Sequence, residues 1–278
     1  MLNTETIKKI EEFVYKRPRS IQEIANHIDK NWRTVDRYIQ EIKENFGTID
    51  TRTFRQGTRG ALKVVYWAAI EKASPSVFQE RLANEIKTFK KKEEFSAFDI
   101  FQHVADENKT ADLEQTQEEA KTNLTQLKKY LEQAENQLLS FSGNLSWINL
   151  EDKKVKTFDV LESLVKKGIK IKCLCRVDLV SLNTIEKLLA LNHKYGKELI
   201  EIRHCEQPLR ALIIDNKLIR LKEIKEPTGR INELNEKIFL FYTIRDRDWV
   251  EWLSKIFWNM FSNSIDSKKR IQELKKIK

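Results

Sequence analysis

Asn31, Trp32, Arg33, Thr34 and Arg37 fall within seven positions of one another, and Arg52, Arg55, Arg59 and Lys63 lie on or beside a segment carrying two glycines, Gly57 and Gly60. A guanidinium can take a guanine edge with two parallel hydrogen bonds or clamp a phosphate. The second group has Asp50 as its single acid, and that local excess of positive charge suits phosphates or a minor groove. The chemistry indicated is therefore the binding of a polyanion. A competing use of the same residues is a solvated basic face for protein contacts, which would leave duplex DNA unbound at low salt.

Three helices and a hairpin must position these side chains. Ile7, Ile10, Phe13 and Val14 recur at helical spacing, and Pro18 ends that helix because it has no N–H to donate. Ser20 and Glu23 have capping-box spacing, opening a second helix with Ile21, Ile24, Ala25 and Ile28 on one face. After the tight link Asp29-Lys30-Asn31, a third helix turns Val35, Tyr38, Ile39 and Ile42 inward and ends near Phe46-Gly47. Thr48 to Phe54 and Leu62 to Trp67 are β-branched and aromatic, and they flank the Arg55–Gly60 turn as a hairpin would. Helices two and three, with a short turn between them, predict a helix-turn-helix that offers the start of the third helix to the major groove.

Ser20-Ile-Gln-Glu-Ile-Ala-Asn-His-Ile through Arg33-Thr-Val-Asp-Arg-Tyr-Ile-Gln-Glu-Ile, followed by the Gly-bearing hairpin, resembles the winged helix-turn-helix of prokaryotic transcriptional regulators. The resemblance covers about the first quarter of the chain. It implies that the third helix is the recognition helix, with that role falling on Trp32, Arg33, Thr34 and Arg37.

The whole chain has 278 residues, 51 Lys plus Arg against 42 Asp plus Glu, a net charge of +9 and 40% hydrophobic residues. That is enough apolar content for more than one folded unit, and it excludes a disordered polymer. A basic surface attracts polyanions over a Debye length of roughly 8 to 10 Å. No apolar run approaches the roughly 18 to 20 residues of a membrane span, and Met1 to Lys9 has no apolar signal core, so a cytoplasmic protein with no membrane partner is expected. Seven Gly and four Pro are few, which favours long helices and a compact α/β portion over a turn-rich β-sandwich. Cys173-x-Cys175 and one further cysteine make no disulfide framework, and His27, His103, His193 and His204 are scattered. Buried core thiols are the expectation there, with no metal and no cofactor.

After Ser74-Pro75-Ser76 a helix carries Phe78, Leu82, Ile86 and Phe89 at helical spacing, closed by the solvated run Lys90-Lys91-Lys92. Asp106 to Thr116 is polar and predicts a loop or a loosely held helix start. Leu113, Ala120, Leu124, Leu127, Leu131, Ala134 and Leu138 then suggest an a/d seam of about three heptads. Such a coiled-coil-like connector either pairs with its mate in a homodimer or lies on the following domain. Two half-sites read by a pair of winged helices favour the homodimer.

From Gln137 strands alternate with helices. Strands are expected at Leu138–Ser142, Ile169–Val177, Leu199–Arg203, Ala211–Asp215, Leu218–Leu221 and Ile238–Ile244. Helices are expected at Thr157–Lys167, Leu182–Tyr195 and Asp248–Phe261, with Trp249, Trp252, Phe257, Trp258 and Phe261 packing the last one on the sheet or a partner. Pro208-Leu-Arg-Ala-Leu-Ile-Ile-Asp215 resembles the phospholipase D signature, in which His-x-Lys, four residues and Asp precede a turn. Pro208 stands at the nucleophile position and has no imidazole, Arg210 stands at the Lys position, and Asp215 alone matches. With no second copy of the motif, catalysis is not expected. Arg210 and Asp215 remain as candidate ligand-binding residues.

A winged helix, a helical connector and a degenerate phospholipase D-like domain together resemble the TrmB family of archaeal regulators, which implies a C-terminal domain sensing small molecules, often sugars. The expected fold is a multidomain α+β and α/β chain. It comprises a winged helix-turn-helix (residues 1–68), the connector (69–136), a mixed-sheet phospholipase D-like domain (137–265) and a basic tail (266–278). The expected function is sequence-specific, non-enzymatic regulation of transcription on double-stranded DNA, as a homodimer, with a C-terminal domain that either senses a small-molecule effector or serves assembly by setting the spacing of the two winged helices. The competing functions are a non-specific architectural or replication-associated DNA-binding protein and a phospholipase D-like nuclease.

Overall fold

The computed structural model describes residues 2–45, 48–55, 61–67, 75–115, 124–227 and 237–276. The first unit runs α1 (Thr4–Lys16), β1 (Arg19–Ser20), α2 (Ile21–His27), α3 (Trp32–Asn45), β2 (Ile49–Arg55) and β3 (Ala61–Trp67), and its strands form a sheet ordered β1-β3-β2. Asn3 caps α1 by accepting the Thr6 N–H at 2.8 Å. Ser20 and Glu23 form the full capping box on α2. Asp29 turns the chain between α2 and α3 with a positive φ of 51°, a conformation that Asp tolerates better than most residues. Ile10, Val14, Ile21, Ile24, Val35, Ile39, Ile42 and Val65 close into one core. Residues 46–47 and 56–60, where a helix stop at Gly47 and the hairpin turn are expected, lie outside the described residues.

The connector begins with α4 (Pro75–Thr88) and the short α5 (Phe98–Phe101), followed by β4 (Lys109–Gln115) and α6 (Leu124–Leu131). Next come β5 (Gln137–Phe141), α7 (Thr157–Lys166), β6 (Lys170–Cys175), α8 (Leu182–Tyr195), β7 (Ile200–His204), β8 (Ala211–Ile214) and β9 (Leu218–Lys225). The chain closes with β10 (Ile238–Ile244), α9 (Arg247–Ser262), β11 (Ile265–Asp266) and α10 (Ser267–Lys275). An eight-stranded sheet ordered β11-β7-β6-β5-β8-β9-β10-β4 organises this half. The β5–β6 and β6–β7 pairs are parallel, and the rest are antiparallel. Parallel neighbours need long crossovers, and α7 and α8 supply them. Gly168 (φ 89°) and Gly196 (φ 62°) end those two helices in the left-handed conformation that glycine adopts without a Cβ clash.

Strand alternation gives the sheet two covered faces. One packs on α4, α5 and α9 and also receives Phe54, Leu62 and Val64 from the hairpin of the first unit. The other packs on α6, α7, α8 and α10. Phe54 lies 5.9 to 6.3 Å, ring centre to ring centre, from Phe98, Phe101 and Tyr242. Aromatic pairs at such separations add roughly 0.5–1.5 kcal/mol beyond the area they bury, so the winged-helix unit is fixed to the sheet by a hydrophobic joint. Among the described residues no helix is long and apolar enough to cross a membrane.

Three expectations are corrected. The a/d seam is not a continuous helix: Leu113 lies in β4, Leu138 lies in β5, and only Leu124, Leu127 and Leu131 share α6. Leu124, Leu131, Ala134 and Leu138 are buried in the chain's own core, with Leu127 partly buried against it, so among the described residues the seam is covered by the chain itself. Ala120 lies outside the described residues. Asp106 to Thr116 reads as a loop or a loosely held helix start, yet Lys109–Gln115 is an edge strand paired with β10 along its whole length. Its polarity misleads because one neighbour and one half-covered face need few apolar residues. The basic C-terminal segment is a helix capped by Asp266, with Ile271 buried against the core.

Candidate nucleic-acid interface and the cavity behind it

Helix α3 has a buried face of Val35, Tyr38, Ile39 and Ile42, which leaves Arg33, Arg37, Gln40 and Glu41 exposed on the other. Arg33 and Arg37 are one turn apart, and four-residue spacing places them side by side. Their guanidinium carbons lie 5.6 Å from the Trp32 ring and 5.5 Å from the Tyr38 ring. Among the described residues neither forms an ion pair with a carboxylate. The positive end of the helix dipole adds to their charge.

The other expected contact residues divide. Asn31 spends its side-chain oxygen on the Thr34 N–H at 2.9 Å, so it caps α3, and its amide group is what remains for a ligand. Trp32 packs partly buried against the first core. Lys63 on β3 is tied to Asp36 of α3 at 2.6 Å. Arg52, partly exposed, pairs with Asp106 at 3.2 Å and lies 5.0 Å from the Phe101 ring, bridging the hairpin to the sheet domain. The side chain of Arg55, and the whole of Arg59, lie outside the described residues.

Helix α2 touches the sheet domain through Glu23. There Glu23 both completes the capping box, accepting the Ser20 N–H at 2.7 Å, and pairs with Lys225 of β9 at 3.3 Å. Arg19 lies 3.6 Å from the same carboxylate and 3.8 Å over the Phe13 ring. Burial opposes charge on Glu23, but Lys225, the two Ser20 donors and Arg19 outweigh it and hold the carboxyl at about 2. A cavity of about 240 Å³ lies beside this joint, lined by Arg17, Glu23, Pro208, Arg210, Lys222 and Lys225 among others.

Arg210 and Asp215 are not brought together. They lie beyond opposite ends of β8, and Asp215, at a positive φ of 49°, accepts the backbone N–H groups of Asn136 at 2.8 Å and Gln137 at 2.7 Å and that of Glu135. That carboxylate fastens the turn before β5. Arg210 instead lines a second cavity of about 180 Å³ on the α6 face of the sheet, with Ser140, Trp147, Arg220, Lys222 and Phe241. Arg220 is 5% exposed. It donates to Thr243 at 3.1 Å and Asp112 at 3.4 Å, between the rings of Tyr130 and Phe241. Lys222 lies 3.7 Å from the Phe239 ring, and burial pulls its ammonium down to about 8. Sequence reasoning stops this strand at Leu221. The strand runs on to Lys225, and a Lys or Arg at alternate positions of a strand between apolar neighbours is the signal that could have exposed the cavity.

No protein-family model matches the chain, and no curated protein matches it. Among solved structures, TrmBL2, an archaeal chromatin protein described as showing a novel mode of DNA binding, is similar over 95% of this chain and 94% of that one, at 17% identity and a TM-score of 0.40. Nuc from Salmonella typhimurium, a phospholipase D family member, is similar over 57% of this chain and 97% of its own, at 10% identity and a TM-score of 0.39. NucT from Helicobacter pylori is similar over 57% of this chain and 99% of its own, at 14% identity and a TM-score of 0.38.

Proposed function

We propose that the chain is a sequence-specific DNA-binding regulator of transcription in which the first half of α3 enters the major groove and the sheet domain does no catalysis. The observation that carries this reading is the pair Arg33 and Arg37, exposed one turn apart on a helix whose other face is core, with no carboxylate partner among the described residues. Arginines so placed can read guanine edges or hold flanking phosphates. The non-catalytic part is supported by Pro208, buried where the phospholipase D signature has its nucleophile, and by the commitment of Asp215 to backbone donors.

Assembly as a homodimer belongs to the same proposal, but it must use a surface other than the leucine seam. The test is selection of bound duplexes from a random pool, with the Arg33→Ala/Arg37→Ala double variant as control. Enrichment of one motif by the native chain and its loss in the variant are expected, and a palindromic motif would give the symmetry. Absence of duplex binding at low salt would sink the reading in favour of a protein-docking surface. Binding without sequence preference would convert it to an architectural role.

A further inference from the structure

The cavity on the α6 face of the sheet holds two cations, Arg210 and Lys222, that feel Glu93 and Glu114 respectively but form no ion pair among the described residues. Arg210 donates to its neighbour's carbonyl, Leu209 O, at 2.7 Å. A Cβ at Gly143 would stand 2.5 Å from Arg210 Nη2, so glycine at that point is what admits the guanidinium. Lys222 rests on the rings of Phe239 and Phe241, and among the described residues no carboxylate lies within ion-pair distance of it or of Arg210. Partly buried charge without a partner is costly. The arrangement is stable when a mobile anion completes it.

A second feature lies in the same cavity. Ser140 is fully buried and lines it, and its hydroxyl oxygen has no hydrogen-bond partner among the described residues. Buried hydroxyls are ordinarily satisfied. Trp147 and Phe241 supply flat apolar wall. Two cations without an ion pair among the described residues match a dianion, and among common biological groups a phosphate monoester carries nearly two negative charges near neutrality, whereas one carboxylate would leave a cation unmatched. About 180 Å³ equals the liquid volume of about six waters, room for a phosphate and a small ring.

We propose that this cavity binds a small phosphate monoester, its head held by Arg210, Lys222 and the Ser140 hydroxyl and its body laid against Trp147 and Phe241. The pocket is independent of duplex binding, because Arg33 and Arg37 lie on a different surface. The depressed ammonium of Lys222 agrees with it: the lysine faces Glu114 of β4, Lys237 before β10, Arg210 beyond β8 and Lys92 after α4, and an incoming phosphate would raise its proton affinity.

The experiment is calorimetric titration of the full chain with phenyl phosphate, inorganic phosphate and benzoate. Phenyl phosphate should bind at one equivalent, and benzoate should bind about tenfold more weakly. Arg210→Gln and Lys222→Met should each weaken phenyl phosphate by about tenfold or more, and the conservative Ser140→Ala by about threefold. Near-ultraviolet circular dichroism checks each fold. Should the two cation variants not fold, the Ser140→Ala loss and the order phenyl phosphate over benzoate decide alone. The proposal is overturned by failure of phenyl phosphate to saturate at millimolar concentration, by benzoate binding as tightly, or by unchanged affinity in the folded variants. Loss of duplex affinity in Arg210→Gln without any phenyl phosphate binding would likewise overturn it, assigning these cations to a DNA backbone. None of these outcomes touches the α3 reading, which the Arg33 and Arg37 variants test separately.

Discussion

Glu23 of α2 and Lys225 of β9 meet at 3.3 Å across 202 residues of sequence. Because Glu23 also caps its own helix through Ser20, one carboxylate both starts the helix preceding α3 and fastens it to the large sheet. Lys225 lies closer still to Glu223, at 3.0 Å, and Arg19 stands 3.6 Å from Glu23, so these four charges share a site that is largely dry.

Breaking this site is expected to loosen the joint between the two units. Glu23→Gln should cost about 2 kcal/mol at neutral pH, less than a fully buried pair because the carboxylate is partly solvated and Lys225 keeps Glu223. The sign with pH follows from the carboxyl being held at about 2 against an ordinary 4.5. Its contribution is complete above 4.5 and is lost as pH falls from there towards 2. Urea unfolding of the native chain and the variant should therefore converge in acid. Curves that stay parallel down to about pH 3 would contradict the assignment.

His103 gives a separate acid dependence. It stacks 4.3 Å from Phe78 of α4 and 6.2 Å from Trp249 of α9, with its Nε2 buried and without a partner among the described residues. Burial first, then Arg81 and Lys109, pull its pKa from 6.5 to about 4. The unfolded chain takes up this proton first, so stability should decline as pH drops from 6.5 to 4. His103→Phe should flatten that part of a melting-temperature profile while keeping the ring stack. An unaltered profile would mean that His103 is charged in the native protein.

The arginines of the first unit should separate by role. Arg37→Ala is expected to weaken specific duplex binding by roughly 1 to 3 kcal/mol, and Arg59→Ala to lower affinity for every sequence and flatten the salt slope by about one unit. Arg52→Ala should instead lower thermal stability by about 1 kcal/mol through loss of its Asp106 and Phe101 contacts, with the salt slope preserved. Fluorescence anisotropy across salt, with melting curves for each variant, distinguishes them. A salt slope reduced by Arg52→Ala would return that side chain to the DNA surface.

Leu131 tests where the leucine series belongs. It is fully buried in the chain's own core, so Leu131→Ala should cost about 2 to 5 kcal/mol and leave the sedimentation coefficient of the folded protein unchanged. Dissociation of an oligomer, or a melting temperature that acquires concentration dependence in the variant, would restore the seam as an interface.

Much of this fold is legible in residue spacing. The Ser20 and Glu23 pair, the inward set Val35, Tyr38, Ile39 and Ile42, and the stops at Gly168 and Gly196 are local signals, and local physics decides them. The series from Leu113 to Leu138 was misleading because heptad spacing says that leucines share a side, not which surface covers it. Here a strand, a helix and a second strand contribute to that spacing, and the chain itself is the cover. Asp215 matched a catalytic signature, but an aspartate at a positive φ beside three free N–H groups satisfies a turn equally well. The cavity residues were hidden for the opposite reason. Ser140, Arg210 and Lys222 are 82 positions apart at the extremes, and only the pairing of β5, β8 and β9 sets them side by side.

The Phe54 ring wedged among Phe98, Phe101 and Tyr242 removes the swivel that tethered reading heads on slack linkers enjoy. On the proposed reading, such a joint would make each copy one arm of a caliper. If two copies grip DNA together, the distance between their grooves is set by how the bodies join, and a target with the wrong pitch must itself bend or be refused.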